Sequence, residues 1–146
     1  MNDQVAVYKD FAHSPSKLKA TTDAVRMQYP DKKLIACMEL HTFSSLNEKF
    51  LDQYKDSMNQ ADIAIVYFNP KTIEHKKLEP LTEEQVRTAF GRRDLLIFRE
   101  SGELREYLLS LDARSKVFLL MSSGTFDGLS LDELAQKIAV STLASA

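Results

Sequence analysis

The stretch Lys33-Leu34-Ile35-Ala36-Cys37-Met38-Glu39 holds five consecutive apolar residues between two charged ones. A short strand that is apolar on both faces must be covered on both faces, which is typical of a parallel sheet between two layers of helices. Similar runs predict four more strands, at residues 5–8, 63–68, 95–99 and 117–122. Because amphipathic segments separate these runs, the sequence predicts a three-layer α/β fold, with a mostly parallel sheet flanked by helices.

The segments between the strands have the features of helices. At residues 82–90, Thr82 and Gln85 form a capping-box pattern and Gly91 follows as a stop, which predicts a helix. Ser14 and Pro15 predict the start of the first helix. Residues 69–81 contain two prolines and a charged group, and are predicted to form a solvated connection. The apolar faces of the other helices are predicted from Leu18, Thr22, Val25 and Tyr29; from Phe50, Leu51, Tyr54 and Met58; from Leu104, Tyr107, Leu108 and Leu111; and from Leu131, Leu134, Ala135 and Ile138.

The composition limits the classes of protein to which the chain can belong. Its 146 residues are the length of one domain, and no apolar run is long enough to span a bilayer. The formal net charge of −2 makes nucleic acid a poor partner, since no basic field would attract a phosphate backbone. The first residues lack the pattern of a signal peptide, so we expect a cytoplasmic location and no membrane partner. The single cysteine, Cys37, is predicted to be a buried hydrophobe and not a catalytic thiol.

Ligands of open parallel sheets bind beyond the carboxyl ends of the strands. Three segments in such positions are rich in hydrogen-bonding groups: Asp10-Phe11-Ala12-His13-Ser14-Pro15, Leu40-His41-Thr42-Phe43-Ser44-Ser45 and Ser122-Ser123-Gly124-Thr125-Phe126-Asp127-Gly128. The first could hold a phosphate or a ribose at a helix start, the second a carboxylate, and the third a ligand close to its backbone. The first two segments also have a purely structural interpretation, as loop hydrogen bonds and as a helix cap, and the residue types alone favour that interpretation.

Two kinds of site are not supported by the residues. The glycine-containing segment at residues 122–128 lacks the Gly-Lys-Ser/Thr spacing of a P-loop, so no self-sufficient triphosphate site is predicted. The three histidines, His13, His41 and His75, do not form a set with metal-ligand spacing, and no metal site is predicted.

Three segments, in order along the chain, resemble signatures of the last domain of the Mur ligases. Val7-Tyr8-Lys9-Asp10-Phe11-Ala12-His13-Ser14-Pro15 is similar to the Asp-Tyr/Phe-Ala-His-x-Pro motif that opens that domain. Leu34-Ile35-Ala36-Cys37-Met38-Glu39-Leu40-His41-Thr42 resembles its second-strand segment, and Leu119-Leu120-Met121-Ser122-Ser123-Gly124-Thr125-Phe126-Asp127-Gly128 resembles its Met-Ser-Asn-Gly-Gly-Phe-type signature. The last two segments are most similar to the ligases that attach a recovered tripeptide to UDP-N-acetylmuramate, with the alanine-adding ligase next. The resemblance spans nearly the whole chain and implies one Rossmann-like domain over residues 1–146.

The resemblance implies part of an ATP-dependent ligase of peptidoglycan synthesis or recycling. In that family, ATP and Mg²⁺ turn a UDP-sugar carboxylate into an acyl phosphate, which an incoming amine attacks. The P-loop and the magnesium ligands belong to a central domain and the UDP site to an amino-terminal domain, so neither is expected in this chain. The last domain closes over ATP and helps to bind the incoming amino acid or peptide. We therefore expect no tightly bound cofactor, and no ligase activity of the isolated domain.

The resemblance also implies roles for individual residues. Asp10 would bind the nucleotide ribose, and His13 would lie near the phosphates or the reaction centre and take part in catalysis. The implied substrate-binding residues are His41, Thr42 and Ser44 in one loop, and Ser122, Ser123, Gly124 and Phe126 on the opposite side.

The chain departs from the family pattern at several places. Lys9 and Ser14 stand where family members commonly have a second aspartate and often a second histidine. The second loop lacks the arginine that usually holds the substrate carboxylate through a bidentate contact, so the amine substrate stays open between L-alanine and a tripeptide. Arg92, Arg93 or Arg99 could replace that arginine. The family's usual extra strand before the first one is also missing, which suggests a chain cut close to its domain boundary.

Two other classes of protein share the alternation of strands and helices. A receiver-like or flavodoxin-like signalling module has five βα units of similar length. However, a receiver needs an acceptor aspartate after its third strand, where this chain has Asn69-Pro70, and a lysine after its fifth, where it has Ser122. A non-catalytic small-molecule-binding domain is the third interpretation, and the sequence leaves it open.

Overall fold

A computed structural model of the chain describes residues 15–40, 52–75, 77, 80–111, 116–121, 133–134 and 136–137, together with the backbone of residues 6–10. Within these residues five strands form one sheet: β1 (Ala6–Asp10), β2 (Lys33–Glu39), β3 (Ile63–Tyr67), β4 (Leu96–Phe98) and β5 (Lys116–Met121). Neighbouring strands are parallel, in the order β1-β5-β2-β3-β4. The predicted α/β fold is therefore confirmed. β1 continues to Asp10 instead of ending at Tyr8, because its pairing with β5 extends that far.

The sheet has a separate hydrophobic core on each face. Alternate residues of β2 enter the two cores, since Leu34, Ala36 and Met38 pack on one face and Ile35 and Cys37 on the other. Burial on both faces confirms the three-layer arrangement that the unbroken apolar run predicts. Cys37 is fully buried, as predicted, and this burial raises the pKa of its thiol.

The described helices are α1 (Pro15–Gln28), α2 (Pro70–His75), α3 (Glu83–Phe90) and α4 (Ser101–Ser110). α3 begins and ends as predicted. The Thr82 hydroxyl accepts a hydrogen bond from the Gln85 N–H, the Gln85 side chain accepts one from the Thr82 N–H, and Gly91 ends the helix at φ 68°. In the last predicted helix, residues 133–134 and 136–137 are helical, and the others lie outside the described residues. No helix in the described part of the chain is long and apolar enough to cross a membrane.

The second predicted helix is wrong over its described part. Residues 52–60 form a short 3-10 helix (Asp52–Tyr54) followed by turns. Asp56 has a φ of 64°, a left-handed conformation through which an α-helix cannot continue. Tyr54 is nevertheless buried, as predicted, and its ring stacks on Phe90 with 5.1 Å between the ring centroids. The apolar stripe therefore identified the buried face but not the backbone conformation.

The connection at residues 69–81 also differs from its prediction, because it contains α2. The Asn69 side chain accepts a hydrogen bond of 2.9 Å from the Lys71 N–H, and Pro70 occupies the first helical position, where no N–H is needed. Ile73 is buried in the core. These residues make the connection a short, anchored helix at the end of β3.

Candidate functional site

The carboxyl ends of β1, β5 and β2 lie side by side, because β5 is inserted between the other two strands. In the strand register, the Cα atoms of Asp10 and Met121 are partners, and Met121 also partners Met38. Each of the three segments selected from the sequence begins at or directly after one of these strand ends. The sheet order therefore brings the starts of all three segments to one edge, as a shared ligand site requires.

Asp10 is the last residue of β1, and only its backbone is described. The other predicted site residues lie outside the described residues: His13, His41, Thr42, Ser44, Ser122, Ser123, Gly124 and Phe126. Their roles stay predictions. The described part of the site consists of the backbone at the strand ends and of the start of α1 at Pro15, which is the last residue of the first segment. The amino-terminal end of a helix attracts anions, so this position suits a phosphate.

Glu39, the last residue of β2, lies at the same edge and was missed by the sequence reasoning. Only 3% of its surface is exposed, and among the described acidic residues it alone is buried. Its register partner on β3 is the buried Tyr67. A buried carboxylate is costly and often belongs to a functional site. The sequence feature that could have identified Glu39 is its position directly before the polar segment that starts at Leu40.

A cleft of about 570 Å³ lies at the carboxyl ends of β3 and β4. Its lining is formed by Tyr67, Asn69, Pro70, Lys71, Arg99, Glu100, Ser101 and Gly102. Because β3 is the neighbour of β2, the cleft extends the edge at which the three predicted segments start. The sequence reasoning missed the cleft because it treated residues 69–81 as a solvated connection.

Glu83 orients one of the cationic residues of this cleft. The Arg99 Nη2 donates a hydrogen bond of 2.5 Å to the Glu83 carboxylate, and this bond is the main reason why the pKa of Glu83 lies below its usual value. The other carboxylate oxygen of Glu83 accepts from Arg87 at 3.4 Å, and Arg87 Nε donates to the Leu95 carbonyl at 3.1 Å. This network ties the start of α3 to the residues around β4.

Arg92 and Arg93 lie at the opposite end of the strands, the amino-terminal end, because they precede the start of β4. The Arg92 Nη1 donates hydrogen bonds of 2.7 Å to the carbonyl oxygens of Met58 and Ala61, and Arg92 pairs with Asp94 at 2.8 Å. Its guanidinium therefore holds the turn that precedes β3. Of the three arginines considered as carboxylate ligands, Arg99 is the one at the carboxyl edge. Within the described residues, no group of three or more His, Cys, Asp or Glu side chains could hold a metal ion.

Relatives of known name match most of the chain. The UDP-N-acetylmuramate–L-alanine ligase of Streptococcus gordonii is 37% identical over an alignment of 86 positions, and the match covers 56% of this chain and 19% of that enzyme. The enzyme of the same name from Streptococcus pneumoniae is 30% identical over an alignment of 129 positions, and the match covers 77% of this chain and 29% of that enzyme. The chain is a homologue of the Mur ligases. It spans less than a third of the length of these relatives, and no protein-family model matches it.

Solved Mur ligase structures share the fold. The murein peptide ligase of Psychrobacter arcticus has a TM-score of 0.67 at 17% identity, and the match covers 97% of this chain and 28% of that one. The UDP-N-acetylmuramate–alanine ligase of Thermotoga maritima has a TM-score of 0.61 at 13% identity, and the match covers 96% of this chain and 27% of that one. The third structure is a domain from Haemophilus ducreyi, assigned to a ligase of UDP-N-acetylmuramate and L-alanyl-gamma-D-glutamyl-diaminopimelate. It has a TM-score of 0.58 at 22% identity, and the match covers 100% of this chain and 98% of that one. The predicted resemblance to the last Mur ligase domain is therefore confirmed.

Proposed function

We propose that residues 1–146 are the carboxyl-terminal domain of an ATP-dependent ligase that joins an amino acid or a peptide to UDP-N-acetylmuramate. The observation that carries the proposal is the shared edge, because β1, β5 and β2 end side by side and each leads into a segment that resembles a Mur ligase signature. The names of the matching relatives support the same class of reaction. Such a ligase acts in peptidoglycan synthesis or recycling, and we place it in the cytoplasm.

The segment between β1 and α1 forms the nucleotide side of the proposed site. Asp10 accepts hydrogen bonds from the ribose, and His13 lies near the phosphates and the reacting groups. The start of α1 supports this assignment, since an anion at the first turn of a helix is stabilised by about 0.3–1 kcal/mol. The P-loop and the magnesium ligands are supplied by a central domain of the same enzyme, and the UDP site by its amino-terminal domain.

The segments after β2 and β5 form the side that binds the incoming amine. The residues proposed to bind it are His41, Thr42, Ser44, Ser122, Ser123, Gly124 and Phe126. Because these segments start next to the nucleotide segment, an amine held between them would lie close to the activated carboxylate. Closure of the domain over ATP would complete the site and exclude water from it.

The proposal is tested with the complete polypeptide that carries this domain. Phosphate release is measured with ATP, Mg²⁺, UDP-N-acetylmuramate and either L-alanine or the tripeptide. We expect release only when UDP-N-acetylmuramate and the correct amine are both present, and none from the isolated 146-residue chain. Amine binding without any phosphate release by the complete polypeptide would instead support the non-catalytic small-molecule-binding domain. Ligation by the isolated chain would contradict the proposed division of roles between the domains.

A further inference from the structure

We propose that Arg99, together with Lys71, binds a carboxylate of the incoming substrate in the cleft at the ends of β3 and β4; this inference rests on the proposed function. The segment after β2 contains no arginine, so the carboxylate needs another cationic partner. Of the three arginines compared above, Arg99 is the one at the carboxyl edge, and both it and Lys71 line the cleft.

The guanidinium of Arg99 retains free hydrogen-bond donors. Its side chain is 49% exposed, and within the described residues its one hydrogen bond is the Nη2 bond to Glu83. A guanidinium has five N–H donors in a planar fork, so most of them are available to a carboxylate. Glu83 thus fixes the direction of the side chain without occupying it.

The surroundings of Arg99 also favour a negative ligand. The Lys71 ammonium makes no hydrogen bond or ion pair with any residue that the structure describes, so it adds a second available positive charge. Ser101 and Gly102 begin the ten-residue helix α4, and the preceding Glu100 makes no side-chain hydrogen bond to cap it. The first N–H groups of α4 therefore add to the field of the two cations, against the carboxylates of Glu100, of Glu103 in the first turn of α4, and of Glu83, which Arg99 shares with Arg87.

The position of the cleft selects a long substrate. Strands lie about 4.8 Å apart, so the end of β4 is about 10 Å from the end of β2 and about 14 Å from the end of β5. One extended residue spans about 3.5 Å and three span about 10 Å. Measured from the ends of β2 and β5, a single extended amino acid spans less than half of the distance to the end of β4, whereas a tripeptide spans most of it. The subsite therefore favours a peptide over a single amino acid.

The test is a calorimetric titration of the complete polypeptide, loaded with a non-hydrolysable ATP analogue and UDP-N-acetylmuramate, with the tripeptide, with its carboxyl-terminal amide and with L-alanine. Arg99→Gln should weaken tripeptide binding by about tenfold or more, since a charge-assisted hydrogen bond is worth about 1.5–3 kcal/mol. Arg99→Lys should restore part of this loss, because lysine keeps the charge but not the fork. The matched control is Arg93→Gln, at the opposite edge, which should bind like the wild type. The amide should bind weakly to the wild type and be insensitive to Arg99→Gln.

Glu83→Gln separates binding from folding. It removes the same ion pair as Arg99→Gln, together with the longer pair to Arg87, but keeps the Arg99 guanidinium. It should therefore melt at or below the temperature of Arg99→Gln and still bind the tripeptide more tightly than Arg99→Gln does. Equal affinities of Arg99→Gln and Arg93→Gln, or no tripeptide binding by the wild type, would overturn the inference. Failure of the ligase proposal is seen separately, as an absence of phosphate release from the complete polypeptide whatever the titrations show.

Discussion

The Glu83 carboxylate at the start of α3 accepts a 2.5 Å hydrogen bond from the guanidinium of Arg99, which follows the end of β4. Both side chains are more than a third exposed, so solvent screens the pair and its contribution to stability is small, typically under about 1 kcal/mol. Its main effect is geometric, because it holds the arginine at the rim of the cleft beyond β3 and β4.

This pair predicts a small pH dependence of stability. A carboxylate whose pKa is lowered by folding contributes stability above its unfolded pKa, here 4.5, and loses that contribution as the pH falls through the lower folded value. The melting temperature of the wild type should therefore exceed that of Glu83→Gln slightly at pH 7. The difference should shrink as the pH falls below 4.5. A difference that stays constant from pH 7 to pH 3 would contradict the assignment of the lowered pKa to the Arg99 bond.

Two glycines are expected to respond in opposite ways to alanine. Gly91 ends α3 with a φ of 68°, where an added Cβ is strained, so Gly91→Ala should lower the free energy of unfolding by about 1–2 kcal/mol. Gly102 lies in α4 and has open space around its Cβ position, so Gly102→Ala should raise that free energy by about 0.5 kcal/mol. Urea denaturation measures both, and equal effects of the two substitutions would count against the end assigned to α3.

Adjacent arginines provide a second matched pair. The Arg92 guanidinium bonds the carbonyl oxygens of Met58 and Ala61, so Arg92→Ala should cost about 1–3 kcal/mol of unfolding free energy by removing these two hydrogen bonds, although the Met58 carbonyl keeps the one it accepts from the Ala61 N–H. Arg93 is exposed, and Arg93→Ala should change stability by less than about 0.5 kcal/mol. Denaturant melts of the two variants decide the point. If both behave like the wild type, Arg92 does not hold the turn before β3.

The nucleotide side of the proposed site is tested in the complete enzyme. Asp10→Ala should raise the KM for ATP by about tenfold and change kcat much less, because one hydrogen-bonding acceptor for the ribose is lost. Lys9→Ala is the control, since it alters the neighbouring position on the same strand. An effect of Asp10→Ala on kcat alone would argue for a role in the chemical step instead of nucleotide binding.

Much of the fold could be predicted because the decisive signals are local. The apolar run at residues 34–38 requires cover on both faces. The start of α3 is set by the side chains of Thr82 and Gln85, and its end by the left-handed backbone of Gly91. The predicted helix that includes Tyr54 was wrong because burial and helical conformation are separate properties. An apolar stripe indicates which residues are buried, whereas the positive φ of Asp56 shows that the backbone there is not helical.

The site could be predicted only in outline. The segments after Asp10, Glu39 and Met121 were recognised from their polar residues and from their resemblance to Mur ligase signatures. The cleft was missed, because its cations Lys71 and Arg99 are far apart in sequence and each resembles an ordinary surface charge. Nothing in the sequence indicates that the ends of β3 and β4 bring them together.

The sequence by itself determined the fold class, the ends of α3 and the segments that would carry the chemistry, because each of these depends on neighbouring residues. Only the tertiary structure decided that the last strand, β5, lies between β1 and β2, and that Arg99 lies at the carboxyl ends of the strands while Arg92 holds a turn at their amino ends. Strand order depends on which distant strands hydrogen-bond to one another. The edge at which a side chain lies follows from that pairing, and no local pattern encodes it.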